Sequence, residues 1–134
     1  MRQMAAFRLR LTEDAALAVL VGDRVYPTHI VDVAEPVYPC ITLFQAEGNQ
    51  AVWLPRTFDF GVMLVQIYSK VDLQECYDIY ELVTQLLHEQ KTAVSRAGAC
   101  FHQIREIWSN SGLWIREDSV WQQSARYLFR VSVT

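Results

Sequence analysis

Cys100 and His102 lie two residues apart in "ACFHQIREIWS", a spacing that places a thiol and an imidazole on one face of a β-strand. Such a pair is the minimum for a cysteine nucleophile, with an Asp or Glu to orient the imidazole. No activating or oxyanion motif accompanies it, so the expected role is two side chains packed in a core or an interface. A zinc site that adds Cys40 would need unrelated strands to converge, and no Cys-x-x-Cys spacing supports one. Carboxylates pair as Glu13/Asp14, Asp72/Glu75, Asp78/Glu81 and Glu117/Asp118. The first two pairs suit helix starts, and Asp78 and Glu81 suit the solvated side of a helix. With five glycines and none of the phosphate-cradling or nucleophile-elbow patterns, the chain offers no catalytic constellation. No enzymatic activity, metal or cofactor is expected, and a small thiol hydrolase built on Cys100/His102 is the less favoured alternative.

Recognition chemistry is better represented. Val52-Trp53-Leu54 stands between Gly48 and Pro55, and Leu113-Trp114-Ile115 follows Gly112, with Trp121 further on. Loops run over surfaces, so bulky apolar triplets there either fold back onto the core or are kept for a partner. Tryptophan is favoured at interface centres, so Val52, Trp53, Leu54, Leu113, Trp114, Ile115 and Trp121 are expected to make subunit or partner contacts. A net charge of −3 and a pI near 5.5 argue against a dedicated nucleic-acid binder, which needs a basic field. The densest basic pair, Arg8/Arg10, is expected to solvate one face of a helix. No apolar run reaches the ~18 residues of a membrane span. "MRQMAAFRLRLTEDAA" lacks the apolar region and cleavage site of a secretory signal. Three cysteines without paired spacing suit reduced thiols in a cytoplasm.

The elements that would position these residues follow from punctuation and period. A length of 134 residues, 51% of them hydrophobic and 20% charged, is one globular domain's worth. Residues Arg2 to Val21 read as helix, broken near Thr12, which is the expected N-cap with Glu13 and Asp14 in the first turn. Gly22 is expected in the left-handed conformation that closes a helix in a Schellman-type end. "THIVDVAEPVYP" reads as a loop, Cys40 to Ala46 as a strand, and "EGNQAVWLPRT" as an extended hairpin loop. Thr57 to Ser69 carries apolar residues on both faces, the pattern of a central strand covered on two sides.

A long helix over about 72–90 opens on an Asp72/Glu75 capping box and carries an apolar stripe of Leu73, Cys76, Tyr77, Tyr80, Val83 and Leu87. Tyr77 and Tyr80 with Phe58 and Phe60 match core faces better than an aromatic pocket. Strands follow at Ala99 to Ser109 and Ser124 to Thr134. In the last, Tyr127 and Phe129 face one way while Arg126 and Arg130 face the other. The predicted fold is α+β: a mostly antiparallel sheet of about four main strands, with the long helix and the N-terminal helical segment packed on it.

A short alanine-rich helix with an acidic cap, "AALAVLVGDRVYP", a proline-containing loop and "PCITLFQ" follow one another in this chain. In this it resembles the tail completion (tail terminator) proteins of long-tailed bacteriophages and prophages, where a helix ends in Val-Gly-x-Arg-Val/Ile-Tyr-Pro. The similarity runs on through "FDFGVMLVQIYS", the helix from Asp72 and "RYLFRVSV", with Gly22, Arg24, Tyr26 and Pro27 as its densest match. Gln66-Ile67-Tyr68-Ser69 departs mildly from the family's pattern, and "NSGLWIREDSVWQQ" corresponds to a variable hairpin. The resemblance implies one tail-terminator-like domain over residues 1–134, with a structural, non-enzymatic role. Such proteins form rings, usually hexameric, that cap the tail tube, end its polymerisation and present the head–tail joining surface. The implied partners are further copies of the chain, the major tail tube protein and head–tail connector proteins, with DNA passing through the ring without specific binding and no membrane involved. The implied location is the host bacterial cytoplasm during assembly, then the head-proximal end of the tail in the virion. Another neck, connector or minor tail component is the nearest alternative. Arg24 would either brace its turn or pair across subunits, and bracing is the expectation.

Overall fold

The computed structural model describes residues 2–28, 30–50, 58–88, 94–96, 99–110, 113–115 and 119–133, with side chains described at 4–28, 30, 32–45, 61–88, 101, 103–110 and 119–130. The N-terminal segment forms two helices, α1 (Arg2–Thr12) and α2 (Ala15–Val21). The cap of α2 is Asp14, whose carboxylate accepts the Leu17 amide at 2.9 Å. Thr12, the expected cap, instead ends α1 and turns its hydroxyl back to donate to the Leu9 carbonyl at 3.3 Å. A carboxylate is the stronger acceptor for an orphan helix amide, which places the start two residues later than the threonine predicts.

Gly22 does have positive φ, but with φ 59° and ψ −129° it lies outside the left-handed helical region. Its amide donates to Ala18 at 2.8 Å, and the Arg24 amide donates to Val21 at 3.0 Å. That combination is a β-turn with glycine at the first central position of the II′ type, which drops the chain directly into a strand. The strand is β1 (Val25–Tyr26), and it pairs in parallel with β2 (Cys40–Gln50) through Val25↔Ile41 and Tyr26↔Thr42. Between them the chain makes a single 3₁₀ turn at Ile30–Asp32.

The remaining elements are β3 (Phe58–Ser69), α3 (Leu73–Leu87), β4 (Val94–Arg96), β5 (Ala99–Ser109), β6 (Leu113–Ile115) and β7 (Val120–Val133). They form one sheet in the order β1-β2-β3-β7-β5-β4, with β6 paired to β7. The four long strands β2, β3, β7 and β5 are antiparallel neighbours, so the α+β fold is as expected. The short strands β1, β4 and β6 are additions. Leu113-Trp114-Ile115, expected in a loop, is a ladder rung set against β7 (Trp114↔Trp121), and Trp121 itself lies within β7. A strand of three residues is too short to show alternation, and no Asn-Gly or Asp-Gly marks its turn.

The helices α1, α2 and α3 lie on one face of the sheet. Phe7 and Leu11 of α1, Leu17 and Val21 of α2, and Ile79 and Val83 of α3 are buried in one cluster with Met63, Val65, Tyr127 and Phe129 of the sheet. Phe7 meets Phe101 and Phe129 edge-on at 4.8 and 5.3 Å between ring centroids, an arrangement aromatic quadrupoles favour. Asp72 caps α3 by accepting the Glu75 amide at 2.8 Å, while the Glu75 carboxylate accepts from Ser69 Oγ at 2.6 Å. Tyr77 departs from the expected stripe and stands 46% exposed on the outer side. On the opposite sheet face, among the described residues, Cys40, Tyr68 and Val120 pack at one end with Tyr26, Ile30 and Tyr38. β3 is therefore covered on the helix side at Met63, Val65 and Ile67, and on the other side where Tyr68 packs.

Candidate assembly surfaces

The turn after α2 is clamped by two arginines. Arg24 donates through Nε to the Pro39 carbonyl at 2.9 Å and through Nη2 to Leu20 at 3.2 Å, tying the helix end to the residue just before β2. Arg8 of α1 donates through Nε to Val25 at 2.8 Å and through Nη2 to Asp23 at 3.2 Å. Arg8 thus holds the turn from the other side, where the sequence suggested a solvated helix face. A guanidinium fork satisfies two backbone carbonyls at once, which suits it to a short turn with few amide donors. Tyr26 joins the same region by accepting the Val37 amide at 3.4 Å, and Pro27 follows the end of β1. Gly22, Arg24, Tyr26 and Pro27 form a local scaffold.

The sheet face away from the helices carries a different population. Register aligns Phe44, Leu64, Arg126 and Trp108 in one row across β2, β3, β7 and β5. The next row runs Val62, Leu128 and Arg105 across β3, β7 and β5, and the third brings Arg130 beside Gln103. Arg105, Arg126 and Arg130 are all exposed. Phe44 is 40% and Trp108 45% exposed, and the Arg126 guanidinium sits over the Trp108 ring at 5.3 Å. Gln103, Arg105, Leu128 and Arg130 line a shallow groove of about 420 Å³ on this face. Two bulges in β5 produce the pattern. Register shifts between Phe101 and Gln103 and again between Glu106 and Trp108, so Phe101, Ile104 and Glu106 face the core while Gln103, Arg105 and Trp108 face out.

Between α3 and the sheet lies a polar tie. Tyr80 donates its hydroxyl to Glu106, Thr84 Oγ1 reaches Glu106 Oε1 at 3.4 Å, and Tyr127 Oη is 2.7 Å from Thr84 Oγ1. His88, at the end of α3, accepts the Glu106 amide on Nδ1 at 2.9 Å. Burial raises the Tyr127 and Tyr80 hydroxyls above their ordinary range, with Glu106 adding to it, so both stay protonated as donors. The tie locks helix to sheet.

Cys40 and Cys76 are fully buried, and burial pushes each up to about 12. Cys76 Sγ donates to the carbonyls of Trp121 and Ile67 at 3.5 and 3.7 Å. Both are core groups with no thiolate available near neutrality. The side chains of Cys100 and His102 lie outside the described residues. Among the described residues no group of His, Cys, Asp and Glu converges as a metal site, and no helix is long and apolar enough to cross a membrane.

Of the expected contact residues, Val52, Trp53 and Leu54 lie outside the described residues. Leu113, Trp114 and Ile115 form β6, where only the backbone is described. Trp121 packs in part against the main core, so its bulk is shared between core and surface. The exposed arginines of the outer sheet face were missed as a group. Arg126 and Arg130 are legible from alternation in the last strand, but Arg105 and Trp108 join them only through the bulges.

No family model matches the sequence, and no curated protein matches it. Among solved structures the fold is similar to a chain in the virion of a native gene transfer agent (GTA) particle, with a TM-score of 0.69 and 17% identity. The alignment covers 96% of this chain and 93% of that one, so the likeness is of whole domains.

Proposed function

We propose that this chain is a structural component of a phage-like particle, and specifically a tail-terminator protein. In this role it caps the tail tube as a ring, ends tail polymerisation and forms the head–tail joining surface. The single observation that supports the phage-like assignment best is the near-complete fold overlap with a chain of the gene transfer agent virion. The finer assignment rests on the "VGDRVYP" turn, whose glycine and arginine brace the junction of helix and sheet, within the order of elements that tail-terminator proteins share. The partners of this reading are further copies of the chain in a ring, hexameric as in the resembled family, the major tail tube protein and the head–tail connector. DNA passes through without specific binding, in line with the chain's net charge of −3. Assembly takes place in the host bacterial cytoplasm and the mature location is the head-proximal end of the tail.

Val52–Leu54, Leu113–Ile115 and Trp121 are assigned to subunit or tube contacts. Trp53→Ala and Trp114→Ala should fold yet fail to cap tails, and variants that cap as well as wild type would remove that assignment. The function itself is tested by mixing the purified chain with tail tubes and measuring docking and tube length by electron microscopy. A chain that neither docks nor limits length refutes it. A neck or connector component on the same fold is the second reading, since the matched particle is a whole virion. A gene placed outside the interval between head-joining and major tail genes would favour that reading. Thiol-probe labelling that is slow and independent of pH below neutrality would dismiss a hydrolase on Cys100/His102.

A further inference from the structure

The outer sheet face and the exposed side of α3 carry clusters of opposite charge. On the outer sheet face Arg105, Arg126 and Arg130 surround the half-exposed apolar groups Phe44 and Trp108. On the far side of the domain, α3 presents Gln74, Tyr77, Asp78, Glu81 and Gln85, all exposed and spaced at helical three- and four-residue steps. Asp72 extends the acidic stripe at the start of the helix, and the Gln74 amide holds Asp78 from the side at 2.8 Å. Glu81 stands close enough to Tyr77 to raise its hydroxyl. Next to this stripe, Leu73, Gln74, Tyr77 and Gln123 line a groove of about 330 Å³. Each cluster thus combines aromatic bulk with charge, and among the described side chains of the two clusters the signs are opposite.

We infer that the α3 stripe of one copy docks on the arginine-bearing sheet face of the next copy. Because the two patches lie on opposite sides of one domain, the contact is head-to-tail and repeats, giving a closed ring when the rotation permits. Patches on opposite sides of the domain cannot both lie in a single two-fold interface, so this contact does not close a dimer. Asp78 and Glu81 pair with Arg105, Arg126 or Arg130, while Tyr77 packs towards Phe44 and Trp108. Charge sets the register and the apolar groups supply the buried centre. The inference rests on the ring reading above and names its subunit contact.

The test is charge reversal on exposed residues, which leaves the core intact. Asp78→Arg with Glu81→Arg, and separately Arg105→Glu with Arg126→Glu, should each weaken self-association by at least about a hundredfold. Sedimentation velocity at low salt reads the effect, and circular dichroism checks the fold. The chain carrying all four substitutions should associate again. Wild-type oligomers should also dissociate as salt rises. Oligomers insensitive to either pair, or a four-fold variant that stays monomeric, overturn this contact while leaving the ring reading intact. A wild-type chain that is monomeric at high concentration and low salt overturns the contact, and the tail-tube docking assay then judges the function separately. Arginine-dependent binding of duplex DNA by a wild-type monomer would assign the sheet face to nucleic acid and overturn the proposal.

Discussion

Replacing Gly22 with alanine tests whether the turn that defines the densest sequence motif is held by backbone geometry. At φ 59° and ψ −129° the residue occupies a region that side chains rarely adopt. An added Cβ would meet Arg24 Nη1 at 3.4 Å, an ordinary contact, so the cost lies in the backbone and not in a clash. If the turn holds its shape, the strain is about 1–3 kcal/mol. If φ relaxes to negative values, the bonds from the Gly22 amide to Ala18 and from the Arg24 amide to Val21 are lost, at roughly 1 kcal/mol each. Both routes converge on about 2 kcal/mol. For a chain of 134 residues, an unfolding entropy of about 2.1 cal/mol/K per residue turns this into a drop in Tm of about 7 °C. Urea denaturation gives the free energy and calorimetry the midpoint, with Asp23→Ala as the exposed neighbouring control. A Gly22→Ala chain within about 0.5 kcal/mol of wild type would refute the turn assignment and the role given to the glycine.

Three further outcomes follow from the same geometry. Arg24→Met removes the donors to Pro39 and Leu20 and should cost about 1.5–3 kcal/mol, with Arg24→Lys recovering little because one ammonium cannot span both carbonyls. Loss of assembly without loss of stability in Arg24→Met would show that the residue pairs across subunits instead. Phe7→Ala empties the site between Phe101 and Phe129 and should cost about 3–5 kcal/mol by urea titration, where a cost under about 1 kcal/mol would mean that α1 is not part of the core. Cys40 and Cys76 rise from 9.0 in the unfolded chain to about 12, so their contribution is complete below pH 9 and lost as pH climbs towards 12. Stability should fall with a slope of up to about 1.4 kcal/mol per pH unit for each thiol, and Cys76→Ala should remove one share of it. A profile flat between pH 9 and 11 would contradict the burial of these thiols.

The elements that depend on local chemistry were legible in the residues themselves. Asp72 announces α3, Gly22 marks the end of α2, and alternation in the last strand separates Tyr127 and Phe129 from Arg126 and Arg130. In each case the signal and its cause lie within a few residues: a carboxylate beside an orphan amide, a glycine where φ is positive, a period of two on a half-buried sheet. Near misses arose where two local options were close in energy. Asp14 displaced Thr12 as a cap, and Gly22 took a II′ turn where a Schellman end was expected. Tertiary structure alone decided what depends on partners far apart in sequence. β6 forms because β7 offers it a ladder, and Arg8 is a clamp because α1 passes over a turn 15 and 17 residues further on. The outer sheet face is the clearest instance. Two extra residues in β5 shift its pleat against β7, moving Trp108 to the side of Arg126 while leaving Glu106 with Tyr127 in the core. Strand period is a local property, but where it slips is set by the neighbouring strand.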